Sequence, residues 1–176
     1  MHSVVPNELL YTIAQVGSAF AGFSTIVAAV GNRGFTTNQV VSIVILSLLV
    51  VFFSLVPNLP FFDLESDGGW RTASGLYFVA WMSYWVYVMQ GFRTNRYDVG
   101  FGDMSLPNKL NAFVTHPISI LALLSSCLGA FDGSTNVVYS VCLLVMLGLA
   151  GFLFVQLTTT LVERGRETQR GKLDDS

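Results

Sequence analysis

The sequence predicts an all-α polytopic membrane protein, a bundle of five transmembrane helices with its N-terminus outside and its C-terminus in the cytoplasm. Three observations carry this expectation. Of 176 residues, 52% are hydrophobic and only 11% are charged, whereas a soluble domain needs about 25% charged residues to coat its surface. The 9 basic and 11 acidic side chains leave five charge-free windows, residues 9–32, 34–62, 72–92, 110–131 and 133–162. The basic residues also divide very unequally between the loops that those windows separate.

Each window exceeds the roughly 20 apolar residues that a helical crossing requires. Helix is the local solution because backbone polar groups in hydrocarbon must be bonded within their own segment. The windows place helices near 9–30, 38–56, 72–92, 112–131 and 135–162. The first is retained rather than cleaved, since Met1-His2-Ser3-Val4-Val5-Pro6-Asn7-Glu8 lacks the basic stretch of a secretory signal. The fourth is the weakest: Pro117 follows His116 and leaves a short clean stretch, Ile118–Phe131, which a re-entrant or interfacial segment would also satisfy. The turn Asp132-Gly133-Ser134 makes the fourth and fifth helices a hairpin. Pro60, Gly68, Gly69, Gly100, Gly102 and Pro107 break the two longest loops into turns. Residues 1–164 form one domain, and 165–176 read as a solvated cytoplasmic tail.

Charge placement decides the count and the orientation. With five crossings, one side carries only Arg71, while the other carries Arg33, Arg93, Arg96, Lys109, Arg164, Arg166, Arg170 and Lys172. Without the fourth crossing the split becomes five to four, and the bias disappears. Basic loops stay in the cytoplasm, so eight against one favours five helices, N-out and C-in. A bacterial inner membrane is the simplest location.

The first helix has two stripes. Ile13, Val16, Phe20, Phe23, Val27 and Val30 form a bulky one, and Ala14, Gly17, Ser18, Ala21, Gly22, Thr25, Ala28 and Ala29 a small one, with Gln15 at its edge. Small residues let helix backbones approach closely in lipid, so the small stripe is expected to face protein and the bulky one lipid. Gln15, Ser18, Gly22, Thr25, Ser47 and Ser54 are candidates for a polar path or a helix interface. The third helix crowds Tyr77, Trp81, Tyr84 and Trp85 into one region, with Trp81 and Tyr84 near mid-membrane where their N–H and O–H need partners. They are a candidate aromatic wall, either for a flat or cationic ligand or for packing against the small stripe. Gln90 and His116 are the nearest polar groups toward the cytoplasmic ends, and Phe61, Phe62 and Trp70 read as interfacial anchors.

Absences exclude several function classes. No Asp, Glu, Lys or Arg lies inside a window, which argues against a carboxylate-driven proton pump and leaves a retinal Schiff base no lysine. With His2 and His116 the only histidines, neither a bis-histidine haem nor a His-rich metal site has its ligands. No cofactor is expected. Cys127 and Cys142 flank the hairpin turn, but without a CxxC spacing or a charged neighbour they read as packing residues. Asp63, Glu65 and Asp67 match only half of a calcium-loop pattern, whose twelfth position is Ser74. The cytoplasmic side has eight basic and six acidic residues, too small an excess for nucleic acid. A membrane enzyme would need a nucleophile, base or metal cluster, and none is visible in the sequence. Two functions stand ahead of it: an oligomeric channel or transporter for a neutral or weakly charged solute, and an accessory, sensory or assembly subunit binding another membrane protein or an apolar ligand. Either takes the lipid bilayer and a second copy or another membrane subunit as partners.

Overall fold

The computed structural model describes residues 7–30, 37–60, 62, 66–94 and 106–174, and every regular element among them is helical. We number the helices α1 (Asn7–Val30), α2 (Thr37–Leu55, continued by a 3-10 turn Val56–Asn58), α3 (Asp67–Arg93), α4 (Leu106–Cys127) and α5 (Thr135–Asp174). Four segments are long and apolar enough to cross a membrane: Glu8–Val27, Val40–Asn58, Leu106–Cys127 and Thr135–Thr159. Helix α3 is outside that set because its Tyr and Trp side chains, half apolar and half polar, lower its mean hydropathy. It is nonetheless 27 residues long, about 40 Å at helical rise.

The helix boundaries differ from the expected ones for local reasons. Helix α3 starts at Asp67, not 72, because the Ser66 hydroxyl accepts the Gly69 N–H at 3.4 Å and Asp67 complements the positive helix end. The glycines expected to make a turn there sit in the first helical turn instead. Helix α4 starts at Leu106, not 112. Pro107 lies in its first turn, where a missing N–H breaks no hydrogen bond. It ends at Cys127 in a Schellman cap: Ala130 N–H bonds Ser125 O at 2.9 Å and Gly129 N–H bonds Ser126 O at 3.1 Å, with Gly129 at φ +84°. Helix α5 runs to Asp174, past the expected end near 162 and through most of 165–176.

Successive helices reverse direction. One end of the bundle gathers the start of α1, the end of α2, the start of α3 and the α4–α5 turn, and we call it the turn face. The opposite end is the loop face. Helix α5 is the hub, packing on α1, α2, α3 and α4, with the α1–α2 hairpin on one side and the α3–α4 pair on the other. The main core joins Leu10, Leu46, Val50, Phe53, Tyr77, Trp81, Leu123, Tyr139, Leu143 and Met146. A smaller cluster of Val40, Ile43 and Leu157 fills the loop-face end between α2 and α5.

Helix α1 presents neither expected stripe cleanly. Its packed face is Leu10, Ile13, Ala14, Gly17 and Ser24, with Phe20, Ala21 and Val27 half-buried beside them, while Val16, Ser18, Gly22, Phe23 and Thr25 are exposed. That face lies between the two stripes, roughly a quarter turn from each. Lipid is as apolar as Phe or Val, so shape rather than hydrophobicity selects the packed face. The shape is visible at Gly17, where an added Cβ would stand 3.1 Å from Val51 Cγ2 and 3.3 Å from the Ser47 carbonyl oxygen.

Candidate functional site

The aromatic residues of α3 lie inside the protein. Turning by 100° per residue puts Trp70, Tyr77, Trp81 and Tyr84 on one face, and all four are buried, Tyr77 and Trp81 completely. Their partners are not the small stripe of α1. Tyr77 stacks on Phe53 of α2 at 4.7 Å between ring centroids and meets Tyr139 of α5 edge-on at 5.5 Å, and Trp70 meets Tyr139 at 5.7 Å. Trp70 is therefore a core residue rather than an interfacial anchor. Phe62 is half-buried against the same core, and Phe61 lies outside the described residues.

The phenols of Tyr77 and Tyr139 reach helix carbonyls. Tyr139 donates its O–H to Phe53 O at 2.6 Å, and Tyr77 donates toward Cys142 O at 3.3 Å and Met146 Sδ at 3.4 Å. Trp85, half-buried, donates its indole N–H to Ala112 O at 3.1 Å. Trp81 is the exception: its indole N–H is buried without a hydrogen-bond partner. Its ring meets the His116 imidazole edge-on at 6.0 Å, and Tyr84 stacks on that imidazole at 6.2 Å.

His116 is itself buried, and its Nδ1 lies 3.0 Å from the Asn111 carbonyl oxygen. Since a carbonyl only accepts, Nδ1 carries the proton in this arrangement. Gln90 is exposed on α3 and does not join this cluster. The sequence signals that Tyr139 and Met146 would complete the aromatic cluster were their 3-and-4 spacings with Cys142 and Leu143 at the start of α5. They are hidden among equally apolar neighbours.

The six residues of the candidate polar path lie on two surfaces and do not line one route. Ser47 and Ser54 are fully buried in α2, with Ser54 bonded back to Val50 O at 2.7 Å and the Ser47 hydroxyl unpartnered. Gln15, Ser18, Gly22 and Thr25 lie on the outer surface of α1. Ser18 and Thr25 each return their hydroxyl to a carbonyl four residues back, Ala14 O and Ala21 O, both at 2.9 Å. At 100° per residue, Tyr11, Gln15, Ser18, Gly22 and Thr25 fall in a strip about 80° wide, next to a lipid-type face of Val16, Ala19, Phe23 and Ile26. Gly22 has no atom within 4 Å of where its Cβ would be.

Asp67 and Asp132, both at the turn face, have structural partners. Asp67 accepts the Gly133 N–H at 3.1 Å, at a turn whose φ of +77° suits glycine, and Arg71 pairs with Asp132. These contacts tie the start of α3 to the α4–α5 turn. Asp63 and Glu65 lie outside the described residues. Both cysteines are free thiols: Cys127 Sγ fills the space beside Gly75 of α3, and Cys142 Sγ faces Ser119 O at 3.9 Å. Among the described residues no group of three or more His, Cys, Asp or Glu is placed to hold a metal ion. The chain matches no protein-family model, and no curated protein or solved structure matches it either.

Proposed function

We propose that this chain is a five-crossing, N-out and C-in protein of a bacterial inner membrane, and that it works as an assembly subunit, associating through the outer strip of α1 with a second copy of itself. The observation that carries the reading is the position of Gln15, Ser18, Gly22 and Thr25 together on an exposed surface of a membrane-type helix. A glutamine amide facing hydrocarbon leaves polar groups unbonded, a cost that another helix relieves. Only 28% of the α1 span is buried, against 56% for α2, so α1 has surface to give.

A second copy is the occupant the strip suits best. Two chains inserted with the same orientation are related by an axis along the membrane normal, which brings equal depths of the two α1 helices together. Gln15 then meets Gln15 of the other copy, and an amide both donates and accepts. Gly22 meets Gly22, which removes the side chains that would hold the backbones apart.

The α3 crossing is supported by its neighbours. It runs antiparallel to α4 and parallel to α5, from the Arg71–Asp132 pair at the turn face to the Trp85–Ala112 bond toward the loop face. The orientation is supported by the eight basic residues of the loop-face segments and tail, against Arg71 alone on the other side. Arg71 is moreover paired to an acid.

The reading predicts that wild-type protein in lipid nanodiscs or liposomes is a dimer or larger. Gly22→Leu should weaken association at least tenfold in a dilution series, without changing unfolding of the monomer, because the added side chain meets open space within one chain. Undiminished association of Gly22→Leu contradicts the interface. Solute flux in the same liposomes, across a panel of neutral and weakly charged molecules, would favour the transporter reading instead.

A further inference from the structure

Helix α4 changes register in its middle, and the change has a chemical cause. Its ends are α-helical, Leu106–Leu110 and His116–Cys127, and Asn111–Thr115 form a π turn between them. Pro117 has no N–H to bond the carbonyl four residues before it, and its ring clashes with that carbonyl in a regular helix. The chain accommodates this with one extra residue in the turn. The His116 N–H reaches back five positions to Asn111 O instead of four.

That register creates a new vacancy. The next carbonyl, Ala112 O, would look five residues ahead to Pro117, which has no proton to give. Trp85 of α3 supplies it, its Nε1–H lying 3.1 Å from Ala112 O. The His116 ring adds a second tie, through Nδ1 at 3.0 Å from Asn111 O. A third lies nearer the loop face, where Gln156 Nε2 donates to Asn108 Oδ1 at 3.1 Å.

In an unbroken α register the pattern of bonds reverses. The Ala112 carbonyl takes the His116 N–H and turns with its residue away from the Trp85 indole, and Phe113 O faces the proline. One residue fewer in the turn rotates everything before it by about 100° relative to His116–Cys127. Ala112 is now buried while Phe113, 51% exposed, points out, and the rotation would swing Phe113 inward and carry Asn108 away from Gln156.

We propose that α4 is a two-register element, in which the Trp85 bond to the Ala112 carbonyl latches the π turn. Release of that bond turns Leu106–Leu110 about the helix axis while His116–Cys127 stays docked. The device couples the loop-face end of α4 to the aromatic face of α3, and is independent of association through α1.

Disulfide crosslinking of the full chain in nanodiscs tests it. The register reporter is Asn108→Cys with Gln156→Cys, in a background where Cys127→Ala and Cys142→Ala remove the native thiols. The docking control is Ser119→Cys with the native Cys142, keeping only Cys127→Ala, because both positions lie beyond the turn and are already in contact. Trp85→Phe keeps a ring but removes the donor, and should slow the reporter crosslink at least fivefold while leaving the control unchanged. Pro117→Ala removes the ring that clashes with the Phe113 carbonyl and supplies that carbonyl an N–H, so the chain reverts to the ordinary α register, and the reporter should slow in the same way without touching α3. An unchanged reporter rate in Trp85→Phe with the control intact overturns the proposal. If Trp85→Phe loses both crosslinks it has lost its fold, and Pro117→Ala then decides, with an unchanged reporter rate again overturning the proposal.

Discussion

Trp81→Ala is expected to destabilise the folded bundle by about 3 kcal/mol, measured by equilibrium unfolding in mixed micelles, whereas Trp81→Phe should cost less than about 1 kcal/mol. The indole is wholly buried between α3, α4 and the rest of the core, so truncation opens a cavity its rigid neighbours cannot close. In lipid the lost quantity is mainly dispersion contact, since the unfolded reference is also apolar. The contrast with phenylalanine follows from the unpartnered N–H. Burying that donor without an acceptor already costs stability, and removing it recovers part of what the smaller ring gives up. Equal, large losses for both variants would mean that the indole N–H has an unseen partner, such as a bound water.

Gly17→Leu should be the most damaging glycine substitution in α1, at least about 2 kcal/mol by the same measurement. The contact is backbone against side chain and carbonyl: Val51 Cγ2, Val50 Cγ1 and Ser47 O all lie within 3.3 Å of the added Cβ. A helix carbonyl cannot swing aside, so α1 and α2 must separate and lose the packing that Leu10 and Ile13 make in the core. Gly22→Leu, five residues on, should leave the monomer as stable as wild type. Similar stabilities for the two variants would contradict the rotation of α1 described above.

The helical class and the number of helices were legible because charge-free length is a one-dimensional property. A window of the right length in lipid must be helical, and the turn at Asp132-Gly133-Ser134 marks its own hairpin. What the sequence hid was rotation about each axis. The two stripes on α1 are visible as spacings, yet the face that packs straddles their border, because in lipid neither stripe is preferred on hydrophobic grounds.

The extents of α3, α4 and α5 were missed for another reason. Caps such as Ser66 and the Ser125–Ala130 bond depend on backbone geometry, and Pro117 looked like an interruption in the first half of a helix near 112–131, whereas a π turn just before it lets α4 run from Leu106 to Cys127. The aromatic cluster was half legible. Tyr77, Trp81, Tyr84 and Trp85 announce themselves on α3, but the partners that bury them come from other helices: Phe53, Ala112, His116, Tyr139 and Met146.

The five-crossing reading is tested most directly by tagging the two ends of the chain in intact cells and asking which side of the membrane each tag reports. An odd number of crossings puts them on opposite sides, so the N-terminal tag should be accessible from outside and the C-terminal tag only after permeabilisation. Two tags on the same side would contradict the account, because α3 would then not cross and the bundle's alternating order could not sit in a membrane as described.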